Sequence, residues 1–422
     1  MEPEAKELNW AGNLSYQARE LLYPTSIEQL AEQVRASDKV RALGSRHSFN
    51  DIADTQATLI CLSKMPETIE IDAQAMSVRV SAGTTYGALA ETMQAAGFAL
   101  HNLASLPHIS VAGAVSTGTH GSGQAHGNLA TAVRGVELVL ADGSLHAVRR
   151  GDAQFNGYVV SLGALGVLTH LTLDIVPSFE VQQTVFEQLS WDKVLDGFDA
   201  LQASAYSVSL FTDWSGQNVG QTWLKRCVGD GLGDDIAQGK FGGFPATAAM
   251  HPLPESDGAI CSEQLGAPGP WSDRLAHFRM DFTPSAGDEL QTEYLVPREY
   301  AVQAIEAIRG LSATITPLLL VSEVRTIAAD ELWLSGNYGR DGIALHFTWK
   351  PQQEEVEALL PRIEEALAPF AARPHWGKLF AATSAQLHEL YPKFNDFIGL
   401  AQRLDPAGKF RNDFLNRTVF GA

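Results

Sequence analysis

Apolar residues recur along the chain at both helical and strand spacings, and they predict that the two kinds of element mix from its start. A helix is predicted from Ile27 to Val34, where apolar residues share one face behind a capping pair formed by Ser26 and Gln29. The other predicted helices cover residues 84–96, 300–311 and 354–367. The predicted strands cover residues 40–43, 69–71, 78–80, 136–140, 145–148, 318–326 and 343–350. The Gly- and Asp-rich stretch from Cys227 to Pro245 is predicted to be a loop. This mixture favours an α+β fold.

The size and charge of the chain exclude several classes of function. Its 422 residues suffice for two or three domains, and 45% apolar and 19% charged residues are ordinary globular proportions. The 30 basic and 49 acidic residues give a net charge of −19, which repels phosphate backbones and anionic lipids. We therefore expect neither a nucleic acid nor a membrane as partner, and an anionic ligand would need a local binding site.

The spacing of cysteines and histidines gives no sign of a metal site, and the first residues give no sign of export. Cys61, Cys227 and Cys261 form no C-x-x-C pair, no H-E-x-x-H occurs, and the 12 histidines do not cluster at metal-ligand spacing. The start of the chain lacks the basic and apolar regions of a signal peptide, and no uncharged apolar run reaches the roughly 18 residues of a spanning helix. We therefore predict a cytoplasmic protein with free thiols and no metal, and we expect a monomer.

One segment stands out because it carries no charge. Residues 92 to 133 contain no Asp, Glu, Lys or Arg, and within them Ser110 to Gly123 is rich in Gly, Ser and Thr. Small side chains let backbone amides approach a ligand closely, and such amides bind phosphate without a formal charge. In so acidic a chain this favours a site for a pyrophosphate group. A buried loop of small residues would have the same composition, and the residues by themselves leave both interpretations open.

The usual nucleotide motifs are absent, but a histidine lies in a tight turn directly after the predicted strand 40–43. No G-x-G-x-x-G stands between a strand and a helix and no G-x-x-x-x-G-K-[ST] occurs, which disfavours NAD in a Rossmann fold and P-loop nucleotides. The turn is Gly44-Ser45-Arg46-His47-Ser48. A histidine in a loop is usually solvated, but here it accompanies a loop of the phosphate-binding type.

Together these motifs resemble the vanillyl-alcohol-oxidase class of flavoproteins. The class shares a strand, a G-x-x-H-S turn, a Ser/Thr/Gly loop and a segment similar to Ser161 to Thr169. In that class the histidine of the turn is bonded covalently to the 8-methyl carbon of the flavin, which implies His47 here. Some members add a cysteine link, but residues 92 to 133 contain no cysteine, so the resemblance implies a single bond.

Longer stretches are similar to the alditol oxidase (xylitol oxidase) branch of this class, and the similarity extends over essentially the whole chain. They are Asn9 to Asn13, Asn102 to Ser110, Ala205 to Trp214, Ser322 to Thr326, Pro374 to Lys378 and the Asp405-Pro406 turn. The resemblance implies FAD as the cofactor. It departs from the family pattern at Arg46, where the family has glycine, because a side chain there needs a permitted φ and a cation beside His47 could alter flavin attachment.

The resemblance also implies which residues contact the flavin. They are Ala42, Leu43, Gly44, Ser45, Arg46, His47, Ser48, Ser105, Ser110, Gly113, Thr117, Gly118, Thr119, His120, Val167 and His375.

Polar residues in the two strands predicted near the C-terminus suit a row of uncharged hydroxyl groups. Glu323 and Arg325 are two apart and share one face of a strand, and His346 and Thr348 share one face of the next. Each hydroxyl of a polyol could donate to Glu323 and accept from Arg325 or Thr348. An ordinary solvated sheet face would show the same pattern, and it is the resemblance that favours a binding site.

The resemblance assigns roles to these residues and adds two more. Lys378, in the segment from Pro374, is implied to be catalytic, although a lone lysine is usually solvated. Arg325, Glu323 and His346 are the other implied catalytic residues, and the substrate is implied to contact Ser105, Glu323, Arg325 and Thr348.

The implied architecture is a two-domain α+β flavoprotein. An FAD-binding domain would comprise residues 1–180 with a C-terminal return over 380–422, and an antiparallel-sheet substrate (cap) domain would comprise 181–379. The implied reaction converts the terminal CH–OH of an alditol such as xylitol or sorbitol to the aldose, with O₂ reduced to H₂O₂. An aldonolactone oxidase of the same class and a carbohydrate-binding protein without redox activity are the alternatives.

Overall fold

Short strands and helices alternate in the first part of the chain, and longer strands follow. The computed structural model describes residues 7–230, 236, 239–253, 256–282 and 289–421. The strands are β1 (Glu20–Leu22), β2 (Val40–Leu43), β3 (Thr58–Cys61), β4 (Ile69–Asp72), β5 (Ser77–Ser81), β6 (Phe98–Ala99), β7 (Val133–Val139), β8 (Leu145–Arg149), β9 (Val167–Asp174), β10 (Val176–Pro177), β11 (Glu180–Ser190), β12 (Ser207–Thr212), β13 (Asn218–Cys227), β14 (Gly242–Pro245), β15 (Pro268–Pro270), β16 (Leu290–Pro297), β17 (Leu319–Ile327), β18 (Gly342–Trp349) and β19 (Arg373–Pro374). The helices are α1 (Ile27–Ala36), α2 (Tyr86–Ala95), α3 (Val111–Thr117), α4 (Phe155–Val159), α5 (Trp191–Asp196), α6 (Phe198–Gln202), α7 (Trp271–Arg274), α8 (Ala301–Gly310), α9 (Ser312–Ile315), α10 (Gln353–Leu367), α11 (Ser384–Leu390), α12 (Phe394–Leu404) and α13 (Asp413–Leu415).

Two predicted loops contain regular structure. The stretch from Ser110 to Gly123 begins with α3, because its small residues fit a short helix packed in the core. Residues 242–245 form β14, which pairs with β11 instead of lying in a loop. Residues 231–235 and 237–238 of that predicted loop lie outside the described residues.

The first part of the chain builds two sheets with a shared core. Strands β1, β3 and β2 form a parallel sheet, and β4, β5, β9, β7 and β8 form an antiparallel sheet in that order. Apolar residues of the antiparallel sheet and α2 pack in one cluster with Phe397, Leu400 and Leu415. The C-terminal helices therefore return to the first part of the chain.

The later strands form one large antiparallel sheet. Its order is β14-β11-β13-β12-β17-β18-β16-β19, with β15 beside β11. On one face Leu345, Phe347 and Trp349 pack against apolar residues of α8 and α10. Because side chains alternate along a strand, the residues between them point to the opposite face, which carries polar groups. Among the described residues no helix is long and apolar enough to cross a membrane.

Candidate active site

A cavity of about 580 Å³ lies between α3, the turn after β2 and the polar face of the large sheet. Most of the residues that the sequence assigns to the flavin or the substrate line it. They are Ala42, Leu43, Gly44, Ser45, Arg46, His47, Ser48, Ser105, Ser110, Gly113, Thr117, Thr119, His120, Glu323, Arg325, His346, Thr348, His375 and Lys378. The fold therefore brings together segments that are more than 300 residues apart in sequence.

His47 lies in the turn after β2 and is packed against Trp10. Both imidazole nitrogens are buried, and neither makes a hydrogen bond of ordinary distance and angle to a described residue, although the backbone of Ser45 lies near enough to favour the protonated ring. Burial lowers the pKa of His47 to about 4, so its imidazole is neutral at pH 7. A neutral ring with an unused nitrogen lone pair is the form that can bond covalently to carbon.

Arg46 has a backbone conformation that favours glycine, which is the residue of the family pattern at this position. Its φ is +65°, in the left-handed region, which costs a non-glycine residue about 1–2 kcal/mol. Its guanidinium forms an ion pair with the carboxylate of Glu7. The positive charge therefore has a partner other than His47.

The turn after β2 and the start of α3 are joined through two serines. Ser110 N donates to Ser45 Oγ at 3.0 Å, and Ser45 N donates to Ser110 Oγ at 3.4 Å. A Cβ at Gly44 or Gly113 would lie only 2.7 or 2.8 Å from Ser110 Oγ. Glycine at these two positions lets the two segments approach each other and leaves their backbone facing the cavity.

Two residues predicted to contact the flavin lie away from the cavity wall. Gly118 ends α3 with a φ of +70°, and its N–H donates to Ala114 and Val115 carbonyl oxygens, so its conformation is needed as a helix cap. Val167 is fully buried in an apolar cluster with Leu30 and Val139. Strand alternation turns its side chain away from the cavity, which its neighbours Gly166 and Leu168 line.

The polar wall of the cavity is formed by strands β16, β17 and β18. His346 in β18 is paired with Glu323 of β17 on one side and with Glu293 of β16 on the other. Directly paired residues of antiparallel strands point to the same face, so all three side chains meet there. The prediction that Glu323 and His346 point to the polar face of the sheet is confirmed.

Glu293 takes part in more ion pairs than any other described residue of this wall. Its Oε2 lies 2.7 Å from Lys378 Nζ, and its Oε1 lies 2.7 Å from Arg325 Nη2 and 3.2 Å from His120 Nε2. Burial by itself would raise the pKa of Glu293, but Lys378, His120 and Arg325 hold it well below its ordinary value. Glu293 is therefore ionised.

Glu323 is also ionised, but it has a different set of partners. His277 Nε2 lies 2.8 Å from Glu323 Oε1, whereas Arg325 Nε lies 3.5 Å from Oε2 and makes no hydrogen bond to any described residue. Arg325 and His277 outweigh burial and lower the pKa of Glu323 below its ordinary value. Oε2 of Glu323 thus keeps the capacity to accept a hydrogen bond from a ligand.

The tautomer of His346 follows from its neighbours. His346 Nε2 lies 3.1 Å from Gln291 Oε1, and the amide nitrogen of Gln291 donates to Glu289 at 2.6 Å. Since Gln291 accepts through its oxygen, Nε2 of His346 carries the proton and Nδ1 has a free lone pair. Burial and Lys378 keep the pKa of His346 well below its ordinary value, so the ring is neutral.

Lys378 reaches the wall from a segment that is anchored to the N-terminal part of the chain. Asn50 Nδ2 donates to the carbonyl oxygens of Trp376 and Lys378, at 2.9 and 2.7 Å. Burial lowers the pKa of Lys378, and Glu293 opposes this effect. The backbone of the same segment fixes the ring of His375, because Gly377 N donates to His375 Nδ1 at 3.1 Å.

The sequence interpretation did not identify Glu293, Gln291 or His277. The first two have only a weak local signal, because Thr292 between them makes three polar residues in succession, and apolar residues follow only from Tyr294. His277 has no local signal. It lies beyond α7, packs its ring against Phe211 and Trp223, and meets Glu323 only in the folded chain.

The lining fits a flavin in two respects. His47 supplies a buried imidazole whose two nitrogens make no hydrogen bond of ordinary geometry to a described residue. Gly44 and Gly113 leave a cradle of backbone beside it that a Cβ would fill. Among the described residues no group of His, Cys, Asp and Glu could hold a metal ion.

Comparison with known proteins agrees with this site. Residues 18–149 match the FAD binding domain family, and residues 286–418 match the D-arabinono-1,4-lactone oxidase family. Alditol oxidase of Streptomyces sp. (strain IKD472 / FERM P-14339) is 49% identical over 416 residues, which are 98% of this chain and 99% of that protein. L-gulonolactone oxidase of Mus musculus is 28% identical and covers 98% of each chain.

The fold likewise has a solved counterpart. Cholesterol oxidase from B. sterolicum superimposes with a TM-score of 0.77 at 13% identity, covering 98% of this chain and 96% of that one. The predicted α+β architecture, an FAD-binding domain beside an antiparallel-sheet domain, is confirmed. Because the similarity to alditol oxidase extends over nearly the full length of both chains, this chain belongs to the alditol oxidase family of FAD-dependent oxidoreductases.

Proposed function

We propose that this protein oxidises the terminal CH–OH of an alditol such as xylitol or sorbitol to the aldose, with FAD as cofactor and O₂ reduced to H₂O₂. The observation that carries the proposal is the wall of β16, β17 and β18, on which Glu293 and Glu323 balance Arg325 and Lys378. A wall whose two cations are each paired with a carboxylate suits an uncharged polyol, because each hydroxyl can both donate and accept. A phosphorylated or carboxylated sugar would bring a charge that this wall does not neutralise.

Other segments that line the same cavity supply the residues that we expect to hold the flavin. We assign its pyrophosphate to the uncharged stretch around α3, and a single covalent bond to the imidazole of His47. The unpartnered nitrogens of His47 and its neutral state at pH 7 support the bond. A flavin held by these residues would supply the acceptor for the hydride of the substrate carbon and the reductant for O₂.

Hydroxyl groups beyond the reacting carbon would be held by Ser105, Thr348 and Glu323. Thr348 lines the cavity, and Ser105 Oγ accepts from Arg325 Nη1 at a long 3.4 Å, so it can exchange this partner for a ligand. Oε2 of Glu323 accepts a further hydrogen bond. These contacts orient the chain of hydroxyls, so that one terminal carbon is presented to the flavin.

Arg325 and Lys378 would stabilise the substrate oxygen while its carbon loses the hydride. Both cations lie on the cavity wall and are joined through Glu293, which fixes their positions. As the O–H proton leaves, negative charge develops on the oxygen, and two fixed cations beside it stabilise that charge without reorganisation.

The proton of the reacting hydroxyl would go to His346. Its Nδ1 has a free lone pair, and Glu293 and Glu323 flank the ring through direct strand pairing. The ring accepts a proton only weakly in the resting site because its pKa is low. Two carboxylates on either side stabilise the imidazolium that forms, so proton transfer is assisted as the hydride leaves.

A spectrum of the purified protein tests the proposal. The flavin band should bleach when xylitol or sorbitol is added under nitrogen, and it should return with one equivalent of H₂O₂ when air is admitted. A flavin that no polyol reduces would overturn the proposal.

A second candidate is oxidation of an aldonolactone, which the match of residues 286–418 to the D-arabinono-1,4-lactone oxidase family favours. Reduction rates with xylitol and with L-gulono-1,4-lactone separate the two, and faster reduction by the lactone would favour the second.

We also propose residues 1–180 with 380–422 as the FAD-binding domain and residues 181–379 as the substrate domain. The start of β11 at Glu180 and the end of β19 at Pro374 support these bounds. A monomer in the cytoplasm stays our expectation from the sequence.

A further inference from the structure

Glu293 is a carboxylate in a place where a charge is costly. It lies in the middle of β16, between β18 and the short edge strand β19, and its side chain is 1% exposed. Removing an ionised carboxylate from water costs several kcal/mol unless it is paired with good geometry. A carboxylate as deeply buried as that of Glu293 therefore needs a reason to be there.

Both oxygens of Glu293 are used by groups of the protein. Lys378 occupies Oε2, and Arg325 and His120 lie at Oε1. This separates Glu293 from Glu323, whose Oε2 makes no hydrogen bond to a described residue. Glu293 is thus not placed to accept a substrate hydroxyl or a proton.

The two cations that Glu293 contacts belong to separate segments of the chain. Arg325 belongs to β17, whereas Lys378 follows β19 in a segment without regular structure. A lysine on a flexible four-carbon stem would otherwise sample many positions and, when buried, tend to lose its proton. Glu293 is the carboxylate that touches both.

We propose that Glu293 is a positioning residue that fixes Arg325 and Lys378 side by side on the cavity wall and keeps Lys378 protonated. The inference rests on the proposed function for its kinetic consequence, but the contacts that carry it do not depend on the substrate. In the proposed reaction two cations are needed at one oxygen, and one shared carboxylate sets the distance between them.

The charge state of Lys378 tests this role directly. The titratable and charged groups that face Lys378 are Glu289, Glu293, Glu323, Arg325, His346 and His375. Glu293→Gln keeps the shape and removes the charge that favours the ammonium form. The pKa of Lys378 should fall, by about one to three units for the loss of an adjacent opposite charge.

The measurement is competitive acetylation of Lys378 with trace acetic anhydride at a series of pH values, read by peptide mass spectrometry on the holoenzyme. Glu289→Gln is the matched control, because Glu289 also lines the cavity but bonds to Gln291. It should shift the titration of Lys378 by less than half as much. An unchanged titration in Glu293→Gln, or an equal shift in both variants, would overturn the proposal.

If Glu293→Gln does not accumulate as folded protein, the acetylation of Lys378 is measured in Glu293→Asp instead. The shorter side chain keeps the charge but draws it away from Lys378, so the pKa of Lys378 should fall by a smaller amount, and no fall would again overturn the proposal. In anaerobic reduction by xylitol, the rate of flavin reduction should fall at alkaline pH as Lys378 loses its proton. In Glu293→Gln this fall should occur at a lower pH, together with the acetylation midpoint of Lys378. A parent protein that no polyol reduces would refute the proposed function, whereas the acetylation result would still decide the role of Glu293.

Discussion

Trp10 stacks on His47, with ring centroids 5.3 Å apart and an interplanar angle of 22°. The backbone reinforces this contact, because Trp10 N donates to Arg46 O at 2.8 Å. The N-terminal segment therefore holds the imidazole in one orientation, and Trp10 covers one of its faces.

The first prediction concerns the bond between His47 and the flavin. In a denaturing gel the protein band should fluoresce under ultraviolet light, and His47→Ala should lose this fluorescence because no other neutral, unpartnered imidazole lies in the turn after β2. Release of all flavin from the parent protein into acid would show that there is no covalent bond.

A matched control lies in the same turn. Arg46→Gly keeps the imidazole and relieves the left-handed backbone of Arg46, whose guanidinium is paired with Glu7. We expect full gel fluorescence and a change in the free energy of unfolding of no more than about 1 kcal/mol, because the relieved strain offsets the lost ion pair and the added freedom of glycine. Loss of fluorescence in Arg46→Gly would mean that the cation takes part in attachment.

The second prediction separates two glycines of the stretch around α3. Gly113→Val places a branched side chain on the cavity wall, 2.8 Å from Ser110 Oγ, and should yield folded protein with little flavin. Gly118→Val instead forces a β-branched residue to a φ of +70° with Val160 nearby, and should lower the free energy of unfolding by about 2 kcal/mol. Flavin content per folded protein and urea unfolding distinguish the two, and full flavin content in Gly113→Val would contradict the placement of the cofactor.

How far the sequence predicts this site depends on whether the signal is local. Strand alternation by itself places Glu323 with Arg325, and His346 with Thr348, on shared faces, and the structure confirms both. The run Leu290–Pro297 gives no such clear signal for Glu293, because Gln291, Thr292 and Glu293 are polar in succession and Leu295 shares the face of Glu293. His277 could not be found in this way, because only the packing of distant segments brings it to Glu323.

Two residues predicted to contact the flavin, Gly118 and Val167, lie away from the cavity wall. A composition rich in small residues indicates close backbone approach, but not whether the partner is a ligand or the protein itself. Gly118 belongs to such a stretch, and there its conformation serves to cap a helix. Val167, which the resemblance assigned, has its side chain in an apolar cluster.

The third prediction is a dependence of stability on pH. Burial and Lys378 lower the pKa of His375 to about 3, below the ordinary value of roughly 6.5 that it has in the unfolded chain. Between these values the unfolded chain binds a proton that the native protein does not, so stability falls as the pH drops below about 6.5. His375→Gln should reduce the slope of unfolding free energy against pH by about 1.4 kcal/mol per unit between pH 6 and 4.5. Urea unfolding across this range measures it, and equal slopes would show that His375 is protonated in the native protein.

The last prediction separates the groups that act on the reacting oxygen from those that hold distant hydroxyls. Lys378→Met removes a cation next to charge that develops only as the hydride leaves, and one such contact is worth about 3 kcal/mol, so anaerobic flavin reduction by xylitol should slow by about 10² or more with little change in apparent affinity. Thr348→Ala removes one hydrogen bond to a hydroxyl that does not react, and should weaken apparent affinity by about tenfold while the limiting rate stays near that of the parent. Rapid mixing over a range of xylitol concentrations gives both quantities for each variant. If Lys378→Met reduces its flavin as fast as the parent protein, Lys378 serves only as the partner of Glu293 in the fold and has no part in the reaction.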